Sequence, residues 1–364
     1  MAPASPKPAS DGFAAKTDTA KKGDGKKGSA KKTRRVPLWL IGASRLVLLL
    51  VATSMATFAL IAASPVDPVK ENLGQAAYAQ MGEAQRAELA EYWGAGTPLP
   101  QRYAHWAASA LHGDLGQSLR FGRPVVEVVS ERFANSAVLM LVAWALAGLI
   151  GLGLGVLAGA KKGRRTDRAI LCVCYVLSST PAFWLGLVAL MVFSVWLGWF
   201  PLGFSVPIGV DAAQVSWAQK VHHLVLPALV LAVSNAPSIA LHTRQKTIDV
   251  LGSDYARFAR SRGEAGRQLL LRHGLRNLVL PAVTIECASI SEVFGGSVLV
   301  EQVFSYPGLG QAAVTAGLGG DAPLLVAIAL VSAVVVFAGN ALADVLLSVI
   351  DPRVREGRRG HVAR

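Results

Sequence analysis

The sequence predicts an all-α integral membrane protein with six transmembrane helices and both termini in the cytoplasm. The 364-residue chain is 52% hydrophobic and 16% charged, whereas an average soluble domain carries about 25% charged residues. Its mean hydropathy is +0.43. The basic residues stand in blocks between long apolar stretches. The net charge of +13 therefore does not indicate a protein that binds nucleic acid.

A transmembrane helix needs about 20 mainly apolar residues, and six stretches meet this requirement. In chain order they are Leu38–Ala63, Ala134–Ala160, Ala169–Leu197, Leu224–Leu241, Leu278–Val300 and Pro323–Ile350.

The Lys and Arg residues predict the orientation, because cytoplasmic connections are enriched in them. One set of connections holds 28 of the 36 Lys and Arg residues: 1–35, 161–168, 244–276 and 353–364. The alternate set, 65–133, 201–223 and 301–322, holds seven. We therefore expect the first set, including both termini, on the cytoplasmic side.

The same division predicts the domain organisation. Residues 1–36 are rich in Ala, Lys, Gly, Ser and Pro, which indicates a disordered basic cytoplasmic tail that contacts anionic lipid. The first transmembrane helix follows over residues 37–64, and residues 65–133 form a small extracytoplasmic loop subdomain with helical patches. Residues 134–352 form a five-helix transmembrane domain that contains a polar loop over 244–278. Residues 353–364 are a second cytoplasmic tail.

Glycine and proline mark packing and bends within the apolar stretches. Gly151, Gly155 and Gly159 are spaced at i, i+4 and i+8, which predicts a smooth helix face and a close approach of a second helix. Pro181, Pro227 and Pro237 are expected to break or kink their helices. The three cysteines all lie in apolar segments, where they are expected to pack as small apolar side chains.

No motif for catalysis, nucleotide binding or metal binding is present. The chain lacks G-x-x-x-x-G-K-[ST], G-x-S-x-G and H-E-x-x-H, and it has no clustered His, Cys and Asp set. The sequence therefore predicts no catalytic residue, no metal site and no ATPase in this chain. An integral membrane enzyme is the less favoured alternative.

The polar, Arg-rich loop from Asp249 to Pro281 separates two apolar stretches. Within it, the pattern over residues 253–263 predicts a short helix that ends at Gly263. Tyr255, Phe258 and Ala259 stand at i, i+3 and i+4 and are expected to form one apolar stripe. Such a helix can lie on lipid or in the groove of a partner protein. The stripe is too short for strong lipid binding, which favours the partner.

At this loop the sequence resembles a known family. Ala259-x-x-x-Gly263, followed by Leu280-Pro281, resembles the coupling loop of bacterial ABC importer permeases, and DYARFARSRG and LLRHGLRNLVLP resemble the dipeptide/oligopeptide/nickel branch. Further stretches resemble that branch: GDLGQS over 113–118, PAFWLG over 181–186, EQVFSYPGLG over 301–310, DAP over 321–323 and DPR over 351–353.

The resemblance implies a pore-forming subunit in a bacterial inner (plasma) membrane that moves substrate by alternating access. The implied partners are a second homologous permease, two ABC ATPase subunits and an extracytoplasmic solute-binding protein, together with the lipid bilayer. ATP and magnesium would bind the ATPase subunits, so this chain needs no cofactor. Di- or oligopeptides are the implied substrate, and nickel or another small solute is the alternative. The residues implied to contact the ATPase are Asp254, Tyr255, Arg257, Phe258, Ala259, Arg260 and Gly263.

One departure from the family pattern concerns this contact. The motif usually has a glutamate where this chain has Arg257. A contact through that glutamate therefore does not carry over to this chain.

Three polar residues inside the apolar stretches are candidates for the translocation path: Glu286, Glu292 and Asn235. Ionisable residues at membrane depth are costly unless they face a cavity or a partner. Glu286 and Glu292 could meet the ammonium group of a substrate, or they could bond Ser289 or a neighbouring helix. A stand-alone channel or secondary transporter is the alternative from another class, although no inverted repeat is visible.

Overall fold

The computed structural model describes residues 38–64, 68–73, 75–92, 97–206, 215–264, 267–269 and 275–350. The chain divides into two compact units, 1–42 and 43–364, and only the first residues of helix α1 are described in the first unit. The expected tails over 1–36 and 353–364 therefore lie outside the described residues. So do residues 265, 266 and 270–274 of the polar loop.

Every regular element within the described ranges is a helix. In chain order they are α1 (Leu38–Ala63), α2 (Pro68–Leu73), α3 (Gln75–Gln80), α4 (Glu83–Tyr92), α5 (Leu99–Leu111), α6 (Val125–Ala160), α7 (Arg165–Ser178), α8 (Ala182–Ala189) with a π-helical continuation (Leu190–Trp196), α9 (Trp217–Gly252), α10 (Asp254–Ser261), α11 (Arg267–Leu269), α12 (Leu275–Ala288), α13 (Ile290–Val303), α14 (Leu309–Leu318) and α15 (Ala322–Ile350).

Four helices are individually long and apolar enough to cross a membrane: Gly42–Ala63, Val125–Ala160, Trp217–Gly252 and Ala322–Leu346. Two further stretches are broken helix pairs. The segments Arg165–Ser178 and Ala182–Trp196 meet at 104°, and Ala282–Ala288 and Ile290–Val303 meet at 55°. The described residues thus hold four spans, or up to six if each bent pair is one span.

The third and fifth spans are both broken. The sequence predicted the break at Pro181 in the third span but not the break in the fifth. In the third, Pro181 stands immediately before α8, and a proline both lacks an N–H and keeps the preceding residue away from helical geometry. In the fifth, the break lies at Ser289, whose hydroxyl donates to the carbonyl oxygen of Glu286 at 2.8 Å. Such bonds from serine to its own helix backbone commonly accompany bends.

The second and fourth spans are longer than hydropathy indicated, at 36 residues each. Helix α9 begins with a capping box, in which the Ser216 hydroxyl accepts from the Gln219 N–H at 3.3 Å and the Gln219 side chain accepts from the Ser216 N–H. Pro227 and Pro237 both lie inside α9 without ending it. Hydropathy located the apolar middle of each helix, whereas the start of α9 is set by its capping box.

The glycines of α6 form a close contact with α9, as predicted. A Cβ atom on Gly151, Gly155 or Gly159 would lie 2.5–2.6 Å from the Cβ of Ile239, Thr243 or Thr247, respectively. Both residue series increase together in steps of four, so α6 and α9 run in the same direction.

The region over 65–133 contains helices α2 to α5, and α4 lies within the stretch GEAQRAELAEYW, where the sequence pattern predicts a helix. Helix α6, however, begins inside this region at Val125. Helix α5 packs against α1 through aromatic rings, with 5.4 Å between the ring centres of Phe58 and Tyr103. The Tyr103 hydroxyl also lies 3.0 Å from the Ser54 hydroxyl.

Candidate functional site

The short helix predicted in the polar loop is present as α10, and its end has the expected glycine geometry. Gly263 has φ = +88°, a conformation that other residues rarely adopt. The Glu264 N–H donates to the Ala259 carbonyl at 3.1 Å, and the Gly263 N–H donates to the Arg260 carbonyl at 3.0 Å. These two bonds are a Schellman motif, which satisfies carbonyl groups at the end of α10 and turns the chain away.

The two sides of α10 have different environments. Ala256 and Ala259 are buried and pack with Leu269 and the partly buried Leu251. Tyr255 and Phe258 are 43% and 65% exposed. Ala259 lies one turn from Tyr255 but is buried, so the apolar stripe over Tyr255, Phe258 and Ala259 continues from the exposed aromatic side of α10 to the side that packs against the protein.

The arginines of α10 have separate roles. Arg260 donates to the Leu251 carbonyl at 2.7 Å, which ties α10 to the last turn of α9. Arg257 pairs with Asp254, and both side chains are largely exposed; such pairs contribute about 0–1 kcal/mol. Arg257 is thus available at the surface, at the position where the family motif usually has a glutamate.

A buried ion pair that the sequence did not indicate joins α7 to α9. The Asp167 carboxylate accepts from Nε of Arg244 at 2.6 Å and from its second guanidinium nitrogen at 2.8 Å. The Gly163 N–H also donates to this carboxylate at 2.8 Å. The only signal in the sequence was an acidic residue inside the basic run KKGRRTDR.

Glu286, the first candidate of the translocation path, is 5% exposed. Neither of its carboxylate oxygens has a hydrogen-bond partner among the described residues. The group lies against α6, where a Cβ on Gly148 would be 3.1 Å from one oxygen. Ser289 bonds the Glu286 backbone carbonyl and not its carboxylate, so the carboxylate remains uncompensated.

The other two candidates have different surroundings. Glu292 is exposed on α13. Beside it the Ser291 hydroxyl donates to Oδ1 of Asn340 on α15 at 2.9 Å. Asn235 is half-buried, and its side-chain N–H donates to the Leu231 carbonyl of its own helix at 2.8 Å. The structure thus does not bring the three candidate side chains into one cluster by any described contact.

Two fully buried acids, which were not among the predicted site residues, connect stretches that are distant in sequence. Glu301 accepts from the Ser136 hydroxyl at 2.7 Å and from the N–H groups of Gly310 and Gln311 at 2.8 and 3.1 Å.

Asp321 is the second acid. It accepts from the Ser118 hydroxyl at 2.7 Å and from the Arg120 N–H at 3.1 Å. Its other carboxylate oxygen accepts from the Leu324 N–H at 3.2 Å. These bonds join the GDLGQS stretch to the DAP stretch.

Residues 151–356 match the family model described as the binding-protein-dependent transport system inner membrane component. The chain belongs to this family. The match includes α10, the Asp167–Arg244 pair and the three candidate residues of the path. Members of the family are translocation components of ABC importers, so this permease component is not an enzyme. It is a multi-pass protein of the bacterial inner membrane, and its family functions with ATPase and solute-binding partners.

The similarity to individual relatives extends over most of the chain. An oligopeptide transport system permease protein, AppB, of Bacillus subtilis is 36% identical over 309 residues, which are 84% of this chain and 95% of the relative. A glutathione transport system permease protein, GsiC, of Escherichia coli is 34% identical over 83% of this chain and 93% of the relative. A putative peptide transport system permease protein of Brucella abortus is 34% identical over 85% of this chain and 95% of the relative.

Proposed function

We propose that this permease imports di- or oligopeptides, taking them from a solute-binding protein and releasing them into the cytoplasm by alternating access. The relatives described above are named for oligopeptide, glutathione and peptide transport, which supports peptides over nickel. The complex would contain a second homologous permease and two ATPase subunits. The substrate class is tested by measuring import of labelled trialanine or glutathione by the purified complex in liposomes. Import of nickel without import of either peptide would contradict the proposal.

The proposed topology has six spans, with each bent helix pair crossing once and both termini in the cytoplasm. The parallel packing of α6 and α9 supports it, because the second and fourth spans of a six-span protein run in the same direction. Residues 65–133 then lie outside the cell, with the first turns of α6 among them. A cysteine introduced at Ser261 should react with an impermeant maleimide only after the cells are opened, and reaction in intact cells would contradict the orientation.

We propose that α10 is the coupling helix that docks on an ATPase subunit. The supporting observation is its two-sided environment: Ala256 and Ala259 hold it to the rest of the protein, while Tyr255 and Phe258 are exposed. Asp254 and Arg257 are exposed on the same short helix, and Arg260 bonds back to α9. Because no glutamate stands at the Arg257 position, we propose that the docking contact depends on the two aromatic rings.

Gly263→Val tests the coupling role. Valine at φ = +88° is strained by about 1–2 kcal/mol, so the end of α10 should rearrange. We expect peptide import to fall while membrane insertion remains normal. Gly252→Val is the matched control, because Gly252 has no positive φ and a Cβ there would meet nothing within 4 Å. Normal import by the Gly263 variant at normal expression would contradict the proposal.

We propose that Glu292, Glu286 and Asn235 contribute to the translocation path in different conformations. Exposed Glu292 would line the path in the conformation described here, since a carboxylate facing lipid is costly. Glu286 would enter the path only when the bend between α12 and α13 changes. Asn235, whose side chain is hydrogen-bonded to its own helix, would contribute a polar side chain to the lining of the path.

Two glutamine variants test these roles. Glu292→Gln and Glu286→Gln should each raise the KM for trialanine import, because each removes a carboxylate that the peptide ammonium would meet. Glu131→Gln, a change in an exposed ion pair, is the control. An unchanged KM in both variants would contradict the proposal that Glu286 and Glu292 line the translocation path.

A further inference from the structure

The ion pair between Asp167 and Arg244 has features that a surface pair lacks. Asp167 is 2% exposed and Arg244 is 20% exposed. Two parallel N–H···O bonds join them, a geometry that arginine offers and lysine does not. The third donor, the Gly163 N–H, comes from the turn between α6 and α7. One carboxylate therefore holds that turn, the first turn of α7 and the side of α9 together.

This junction lies close to α10 along a continuous helix. Arg244 precedes the last residue of α9, Gly252, by eight residues, or about 12 Å at 1.5 Å per residue. Only Ser253 separates α9 from α10, and Arg260 of α10 bonds back to α9 at Leu251. A displacement of α10 must therefore displace the end of α9 that carries Arg244.

Helices α6 and α7 are held to α9 by different means. Helix α6 is interlocked with α9 through its glycines, down to the contact of Gly159 with Thr247. For α7, the ion pair is the charged link to α9 among the described residues. Packing of small residues sets how closely the helices approach, and a bidentate ion pair adds two directed bonds that fix the relative orientation of its partners.

We propose that Asp167 and Arg244 are positioning residues that transmit the movement of α10 to α7 and hence to the bent third span. This inference rests on the proposed coupling role of α10. When the pair is intact, α10, the end of α9 and the start of α7 move as one body. When one partner is removed, the other is left as a buried charge without compensation, and α7 no longer follows α9.

Asp167→Asn and Arg244→Lys test this role in the complete transporter in liposomes, with its own ATPase and solute-binding protein. The asparagine keeps the size but loses the charge, and the lysine keeps the charge but loses the two-bond geometry. Residues that carry coupling change it by about 2- to 30-fold when altered. We therefore expect about 2- to 30-fold more ATP hydrolysed per labelled trialanine imported, with a smaller change for Arg244→Lys. Glu131→Gln is the control, since its pair with Arg123 is half exposed on both sides.

A second measurement does not depend on the substrate. Spin labels on Ser261 of α10 and on Cys172 of α7, which is exposed, report the distance between these helices. We expect one narrow distance with and without ATP in the unaltered protein, and a distance that changes or broadens with ATP in Asp167→Asn. If the Asp167→Asn variant does not accumulate in the membrane, both measurements are made on Arg244→Lys.

The outcomes separate this inference from the proposed function. If Gly263→Val uncouples import but both pair variants retain the normal ATP ratio and a narrow distance, the ion pair has only a structural role and the inference is wrong. If Gly263→Val imports normally, the proposed coupling role of α10 is wrong, and the inference that rests on it is wrong as well. A broadened distance with a normal ATP ratio would also overturn the inference, because α7 would then move freely without loss of coupling.

Discussion

Replacing Gly155 by alanine should separate α6 from α9 and destabilise the protein. In the structure, a Cβ on Gly155 would lie 2.5 Å from the Thr243 Cβ and 2.6 Å from the Ala240 carbonyl oxygen. Ordinary contacts begin at 3.4 Å, so the helices must move apart by about 0.9 Å at this level. The carbonyl oxygen belongs to the backbone and cannot rotate away. The movement would also weaken the neighbouring contacts of Gly151 and Gly159.

The magnitude follows from the usual cost of inserting a methyl group into a packed contact, about 1–3 kcal/mol. Alanine also favours a helix over glycine by about 1 kcal/mol, which would offset part of this cost. Gly153→Ala separates the two effects, because Gly153 lies on the same helix and a Cβ there would meet nothing within 4 Å. The difference between the two variants isolates the contact with α9.

The assay is heating of each variant, fused to a fluorescent protein, followed by size-exclusion chromatography in detergent. Because the entropy of unfolding scales with chain length, a loss of about 1–3 kcal/mol corresponds to a melting temperature lower by about 1–4 °C in a chain of this length. We expect Gly155→Ala to melt below Gly153→Ala by an amount in this range. Equal melting temperatures would refute the close contact, and a more stable Gly155→Ala variant would show that the helices adjust without cost.

Three further predictions concern the buried acids and use the same melting assay, with Glu131→Gln as an exposed control that should change little. Glu301→Gln should lower the melting temperature: its amide oxygen can still accept from the Gly310 and Gln311 N–H groups, but the amide nitrogen cannot accept from the Ser136 hydroxyl, and an unpartnered buried donor costs about 1–3 kcal/mol. An unchanged temperature would contradict the bonds described. Asp321→Asn should do the same, because its amide nitrogen cannot accept and the variant loses either the Leu324 N–H bond or both the Ser118 hydroxyl and Arg120 N–H bonds; an unchanged melting temperature would contradict these bonds. Gly308→Ala should destabilise through space and not through backbone strain, since its Cβ would lie 2.3–2.5 Å from the Glu301 carboxylate at φ = −99°; tolerance of alanine there would mean that Glu301 can move.

Local patterns in the sequence were sufficient for several features. The run of apolar residues identified the membrane helices, and the four-residue spacing of Gly151, Gly155 and Gly159 identified a packing face. The pattern over residues 253–263 identified a short helix that ends at Gly263. In each case the relevant atoms lie within a few turns of one helix, so spacing along the chain determines their arrangement.

Features that depend on distant partners could not be read in this way. Asp167 and Arg244 are 77 residues apart, and Ser136 and Glu301 are 165 residues apart. The sequence also treated Glu286 and Glu292 alike, although one is buried against α6 and the other is exposed on α13. The break at Ser289 separates them and turns their helices by 55°.

The sequence by itself determined that this chain crosses the membrane several times, that it carries a glycine-ended helix in a polar loop and that it contains no ATPase motif. Only the tertiary structure decided which side of that helix is anchored, which acids are buried and which ion pair joins α7 to α9. The physical reason is that hydropathy and helical spacing act along one segment. Burial and charge pairing depend on which segments meet after the helices have packed.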